Sequence, residues 1–124
     1  MDTIHSARCL ISKGNTLLLV KKTKSSLFEL PGKEFSSEDD PEVVAISAVE
    51  EQVSLTPRII QQFGAFEIQE DGKNYNLAVF ECSLDDPEQE LKQGEGIEEI
   101  KWVPIKDLDK EKVWEDVLAV SEDL

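Results

Sequence analysis

The sequence predicts a single α/β domain in which a mixed sheet lies between helices. Three observations carry that expectation. The apolar segments follow the order β-β-(β)-loop-α-β-β-β-α, which packs most naturally as a sheet with helices on both faces. At 124 residues the chain suits one domain, so residues 1–124 form the unit, with no linker, repeat or low-complexity tract to divide it. Apolar residues make up 40% of it, enough for a core without disulfide or metal staples.

Each element has a local reason. Ile4 to Ile11 is strand-like, Gly14-Asn15 punctuates, and Leu17-Leu18-Leu19-Val20 is a run suited to a strand buried on both faces. Leu27 to Leu30 is a short extended piece ended by Pro31-Gly32, and Lys33 to Asp40 reads as a polar loop. A helix follows, capped by Asp39 or Asp40, with Pro41 in its first turn and Glu42 near the positive end of its dipole. Ala45 or Ile46, Val49 and Val53 form its apolar stripe, and Ser54 to Pro57 closes it. Arg58 to Gln69, Asn76 to Leu84 and Ile100 to Ile105 read as strands, and Glu111 to Val120 as a closing helix.

Composition excludes several classes. Net charge is −14, with 27 acidic and 13 basic residues, so a nucleic acid polymer would be repelled. No run of about 18 apolar residues offers a membrane span. Met1 to His5 lacks the features of a signal peptide, which makes the cytoplasm the expected location. The single histidine leaves no Ser-His-Asp or Cys-His set for acyl transfer. Nor can it complete a zinc site with Cys9 and Cys82, which read as reduced core thiols.

One strand-loop-helix block carries a resemblance. Leu17 to Lys22, then Leu27-Phe28-Glu29-Leu30-Pro31-Gly32, then an acidic loop and a helix ending Glu50-Glu51-Gln52-Val53-Ser54-Leu55 resemble the Nudix (MutT-like) hydrolases. Glu99 to Leu108, with Trp102, is similar to the tryptophan-bearing strand near that family's C-terminus. The resemblance implies a Nudix-like α/β/α sandwich and hydrolysis of nucleoside diphosphates linked to another group. It also implies Mg²⁺ or Mn²⁺ as cofactor if the chain is active and none otherwise, a nucleotide as small-molecule partner, and a domain of a kind that often pairs with itself.

The signature G-x5-E-x7-R-E-U-x-E-E-x-G-U (U apolar) fits in two registers. In the first, Gly32 opens it, Glu38 is the loop glutamate, and Glu50 and Glu51 are the acidic pair. In the second, Lys33 takes the glycine's place, Asp39 the loop glutamate's, Ser47 the arginine's and Ala48 the next glutamate's. Glu51 and Gln52 then form the pair, and Ser54 stands for the last glycine. Burial of Val49 beside Val53 and Leu55 favours the second, since one residue turns a helix by about 100°. Both registers lose the arginine and its neighbouring glutamate. Catalysis should then be weak or lost, and the alternative is a non-catalytic nucleotide-binding or protein-interaction module.

By that resemblance, Glu51 and Glu50 are the candidate catalytic residues, and Glu51, Glu50 and Asp39 the candidate metal ligands. Hard cations need oxygen donors, and carboxylates three or four apart share one helical face. Glu95 or Glu98 would be distant helpers. Lys22, Gly32 and Lys33 are the candidate substrate-binding residues; lysines at a solvated strand end are the plainer reading of Lys22. Arg8 and Arg58 are weaker candidates of the same kind.

Overall fold

The computed structural model describes residues 3–86 and 88–124. The expectation from the N-terminus rests partly on Met1 and Asp2, which lie outside the described residues.

Strands β1 (Thr3–Lys13) and β2 (Thr16–Lys22) are followed by the short β3 (Phe28–Glu29) and β4 (Gly32–Phe35). Helix α1 (Pro41–Val53) comes next, then the long hairpin β5 (Pro57–Glu70) and β6 (Lys73–Leu84). Strand β7 (Ile97–Pro104), a 3₁₀ turn (Ile105–Lys110) and helix α2 (Glu115–Ser121) complete the chain.

The strands form one seven-stranded sheet ordered β3-β2-β1-β6-β5, with β4 paired to β1 and β7 to β2. Strand β1 runs parallel to β6 and antiparallel to β4. The sheet is mixed and lies between helices, as predicted. The apolar runs are continuous because both faces are covered. Ala7, Cys9, Ile11, Leu18, Val20, Phe80 and Cys82 pack with Val44, Ala45, Val49 and Val53 of α1. Leu10, Leu17, Leu19, Leu77 and Val79 pack with Val117 and Val120 of α2 on the other face. Alternation along each strand sends successive residues to opposite cores.

Two expectations need correction. Lys33 to Phe35, expected as loop, are strand: with Gly32 they pair with β1, His5 opposite Phe35 and Arg8 opposite Gly32. A Cβ on Gly32 would collide with the Ala7 carbonyl and the Arg8 side chain, so only glycine lets the strands approach there. The last helix starts at Glu115, not Glu111. Lys112 to Trp114 is held extended, because the Phe28 N–H donates to the Lys112 carbonyl at 2.8 Å and the Trp114 N–H to the Phe28 carbonyl at 2.8 Å.

Helix α1 begins as expected: the Asp40 carboxylate accepts from the Glu42 N–H at 3.0 Å, and Pro41 opens the first turn. It ends at Ser54, whose φ of 63° is left-handed. Its last carbonyls are closed by the loop before β7. The Lys92 N–H donates to the Val53 carbonyl and the Gly94 N–H to the Gln52 carbonyl. A side chain on Gly94 would run into the Glu51 carbonyl.

Candidate functional site

Strand β4 has α1 on one side and a cavity on the other, because its side chains alternate. Lys33 faces α1. Its Nζ donates to both Glu51 carboxylate oxygens, at 3.0 and 3.2 Å, and to the Ser47 hydroxyl at 3.3 Å. The Ser47 hydroxyl also donates to Glu51 Oε1 at 3.1 Å, one helical turn away. The Lys33 ammonium, and after it the Ser47 hydroxyl, hold the Glu51 carboxyl below its usual range.

Gln52 is buried and makes a paired contact with one residue of β4. Its Nε2 donates to the Gly32 carbonyl at 2.9 Å, and its Oε1 accepts from the Gly32 N–H at 3.3 Å. Ala48 and Val49 are both fully buried.

The other candidate ligands lie in different contacts. Glu50 accepts from the Thr56 hydroxyl at 3.2 Å. Asp39 closes its own loop, accepting from the Ser36 N–H and hydroxyl, each at 3.1 Å. Glu98 pairs loosely with Lys21 at 4.0 Å. Among the described residues, no three acids, histidines or cysteines gather into a metal-holding group. Glu51 is the acid of this set that faces β4, and its partner there is the Lys33 ammonium.

Glu34 points the other way, into a cavity of about 250 Å³ also lined by Arg8, Lys22, Glu29, Tyr75 and Trp114. Lys22 lies here with its Nζ 2.9 Å from Glu29 Oε1. Arg8 is buried. Its Nη1 donates to Glu29 Oε1 at 2.8 Å and to the Leu30 carbonyl at 3.0 Å, and its Nε to the Ser6 hydroxyl at 2.9 Å. The guanidinium also lies 5.3 Å from the centre of the Trp114 ring. Trp114 is fixed by Glu70, which accepts from its Nε1 at 2.8 Å, and by the edge of Tyr75.

Behind Arg8, Asp116 is fully buried, 3.7 Å from Nη1. Its carboxylate accepts from the Leu30 and Val117 N–H groups at 3.0 and 2.7 Å. Burial pushes its pKa up to about 7 against the opposing pull of Arg8 and the Leu30 N–H.

Of the residues named from the sequence, Gly32, Lys33 and Glu51 lie between β4 and α1, and Lys22 and Arg8 lie at the cavity; the partners of Arg8, which are Glu29, Asp116 and Trp114, were not foreseen. One signal was available: an arginine amid Ala7, Cys9, Leu10 and Ile11 needs buried partners. Arg58, the other arginine considered, is an exposed partner of Asp85.

The architecture and the strand-loop-helix block define the class, an α+β domain of MutT-like fold. The NUDIX domain matches residues 3–124, and the chain belongs to the NUDIX family. A MutT NUDIX hydrolase from Burkholderia pseudomallei superposes with a TM-score of 0.87, at 14% identity over 100% of this chain and 99% of that one. A MutT protein from Methanosarcina mazei Go1 gives 0.81, at 18% identity over 98% and 92%. An Ap4A hydrolase from C. elegans gives 0.79, at 15% identity over 96% and 93%. Such identities establish the fold alone. No curated protein sequence matches the chain significantly.

Proposed function

We propose that this chain is a NUDIX-family nucleotide-binding module in which metal-dependent pyrophosphate hydrolysis is weak or lost. The observation that carries the reading is the composition of α1 where it faces β4: Ala48, Gln52 and a single carboxylate, Glu51, already paired with Lys33. Two features support the alignment behind it. Val49 is buried, and Ser54 has the left-handed φ of 63° that the family's glycine would adopt without strain. Without several oxygen ligands on that face, the donors do not fit a Mg²⁺ or Mn²⁺ ion that would neutralise a diphosphate and activate water.

The binding half of the proposal rests on the cavity. Its Trp114 and Tyr75 walls suit a flat ring; Arg8 and Lys22 are both paired with Glu29, and Glu34 and Glu70 also line the cavity, so the ring carries the recognition. Its 250 Å³ lies below the ~300–1,000 Å³ of sites that enclose a drug-sized ligand. One ring of a nucleotide would enter, leaving the phosphates outside, near Lys22.

The test is a panel of nucleoside-diphosphate compounds and dinucleoside polyphosphates, assayed with Mg²⁺ and Mn²⁺ for wild type and Glu51→Gln. The expected result is no metal-dependent turnover, with a rise in melting temperature for at least one ligand. Turnover that disappears in Glu51→Gln would overturn the loss of catalysis. Silence in both turnover and melting would overturn nucleotide binding.

A further inference from the structure

We infer that two N–H donors of the chain itself, the Lys33 ammonium and the Gln52 amide, take up the oxygen atoms between β4 and α1 and close this face to divalent cations. The inference builds on the proposed function above and gives it a physical cause: the face is filled, beyond being poor in carboxylates.

The oxygens at this junction are the two of Glu51, the Ser47 hydroxyl, the Gly32 carbonyl and Gln52 Oε1, the last of which accepts from the Gly32 N–H. Every one of them has a partner. Lys33 Nζ meets both Glu51 oxygens and Ser47 Oγ within 3.3 Å. Gln52 Nε2 meets the Gly32 carbonyl at 2.9 Å. Hard cations join oxygen to oxygen, and here nitrogen-bound protons do so.

Gln52 makes the point sharply. A glutamate at the same place would keep the acceptor for the Gly32 N–H, but would set its second oxygen against the Gly32 carbonyl. That oxygen pair needs a proton or a cation between its members, and the amide N–H removes the need. Lys33 acts by charge as well as by occupancy. An ammonium about 4 Å from a divalent ion repels it by enough, even at the dielectric of water, to weaken binding at least about ten-fold. Exposed ion pairs are individually weak. The exclusion therefore comes from that repulsion more than from the strength of the Lys33–Glu51 pair, whose side chains are 37% and 61% exposed.

The experiment titrates Mn²⁺ alone and follows the free ion by electron paramagnetic resonance. Four proteins are compared: wild type, Lys33→Met, Ala48→Glu with Gln52→Glu, and that pair combined with Lys33→Met. Wild type should show no saturable binding, and the triple variant should bind at least about ten-fold more tightly than the double. Equal affinities in double and triple, or wild-type binding as tight as the triple, would overturn the inference. Because Ala48 and Gln52 are both buried, Ser47→Glu with and without Lys33→Met repeats the comparison at a half-buried position of the same face and leaves the Gly32 contact intact. Circular dichroism verifies folding. The Mn²⁺ comparison alone decides this inference. Nucleotide-induced melting shifts measured in EDTA alone decide nucleotide binding, so the two failures are told apart.

Discussion

Arg8, Glu29 and Asp116 put two carboxylates beside one buried guanidinium. Glu29 takes the close contact at 2.8 Å, and Asp116 stands at 3.7 Å with two backbone N–H groups. Lys22 adds a second cation at Glu29. The consequence is a pH dependence with a definite sign. Unfolded, Asp116 titrates near ~3.9; folded, burial raises it to about 7. Between those values the native state holds a proton that the unfolded chain has lost, so stability falls as pH rises. The contribution is fully present below about pH 4 and gone above about pH 7. Urea midpoints should therefore decline across this window more steeply in wild type than in Asp116→Asn. Parallel slopes for the two proteins would refute the assignment. Apart from Arg8, a charge amid apolar residues, the cluster does not show in the sequence, because its members lie on β1, β3 and α2 and meet only through the fold. Lys22 and Lys33, by contrast, were visible as basic residues flanking a motif.

At the scale of elements, α1 was legible because its signals are local: Asp40 as cap, Pro41 in the first turn, and an apolar stripe through Ala45, Val49 and Val53. Strand β4 was not. Gly-Lys-Glu-Phe has no strand character of its own, and its ladder is made by β1, far away in the chain. The same logic shortens α2, whose expected first turn is drawn into an extended bridge with Phe28. The end of α1 offers a direct measurement. Ser54 pays for its left-handed backbone with strain that glycine avoids, and its hydroxyl makes only a long 3.4 Å contact with the Lys92 carbonyl. Ser54→Gly should stabilise the protein by about 0.5–1 kcal/mol in thermal or urea unfolding. A loss of stability would mean that the contact with Lys92 outweighs the strain.

For the whole molecule, the fold class could be read in advance because runs such as Leu17 to Val20 are buried on both faces, which only a sheet between helices provides. Charge is the other property of this scale. With a net −14, the folded chain repels itself more than its scattered, exposed ion pairs attract. Raising NaCl from low ionic strength to about 0.5 M should screen that repulsion and raise the melting temperature. A fall would show that the ion pairs dominate instead. Among the described residues, no helix is long and apolar enough to cross a membrane.

The parallel pairing of β1 with β6 sets the order in which the molecule can assemble. Thr3 lies beside Asn74 and Ile11 beside Cys82, so the middle of the sheet joins segments separated by most of the chain. The β5–β6 hairpin closes on a short turn, and β1 can pair early with β2 and β4, but its long parallel edge has no partner until β6 exists. Non-local pairing of this kind places folding among the slower single domains. It also leaves that edge of β1, during synthesis, open to pairing with other chains until β6 is made.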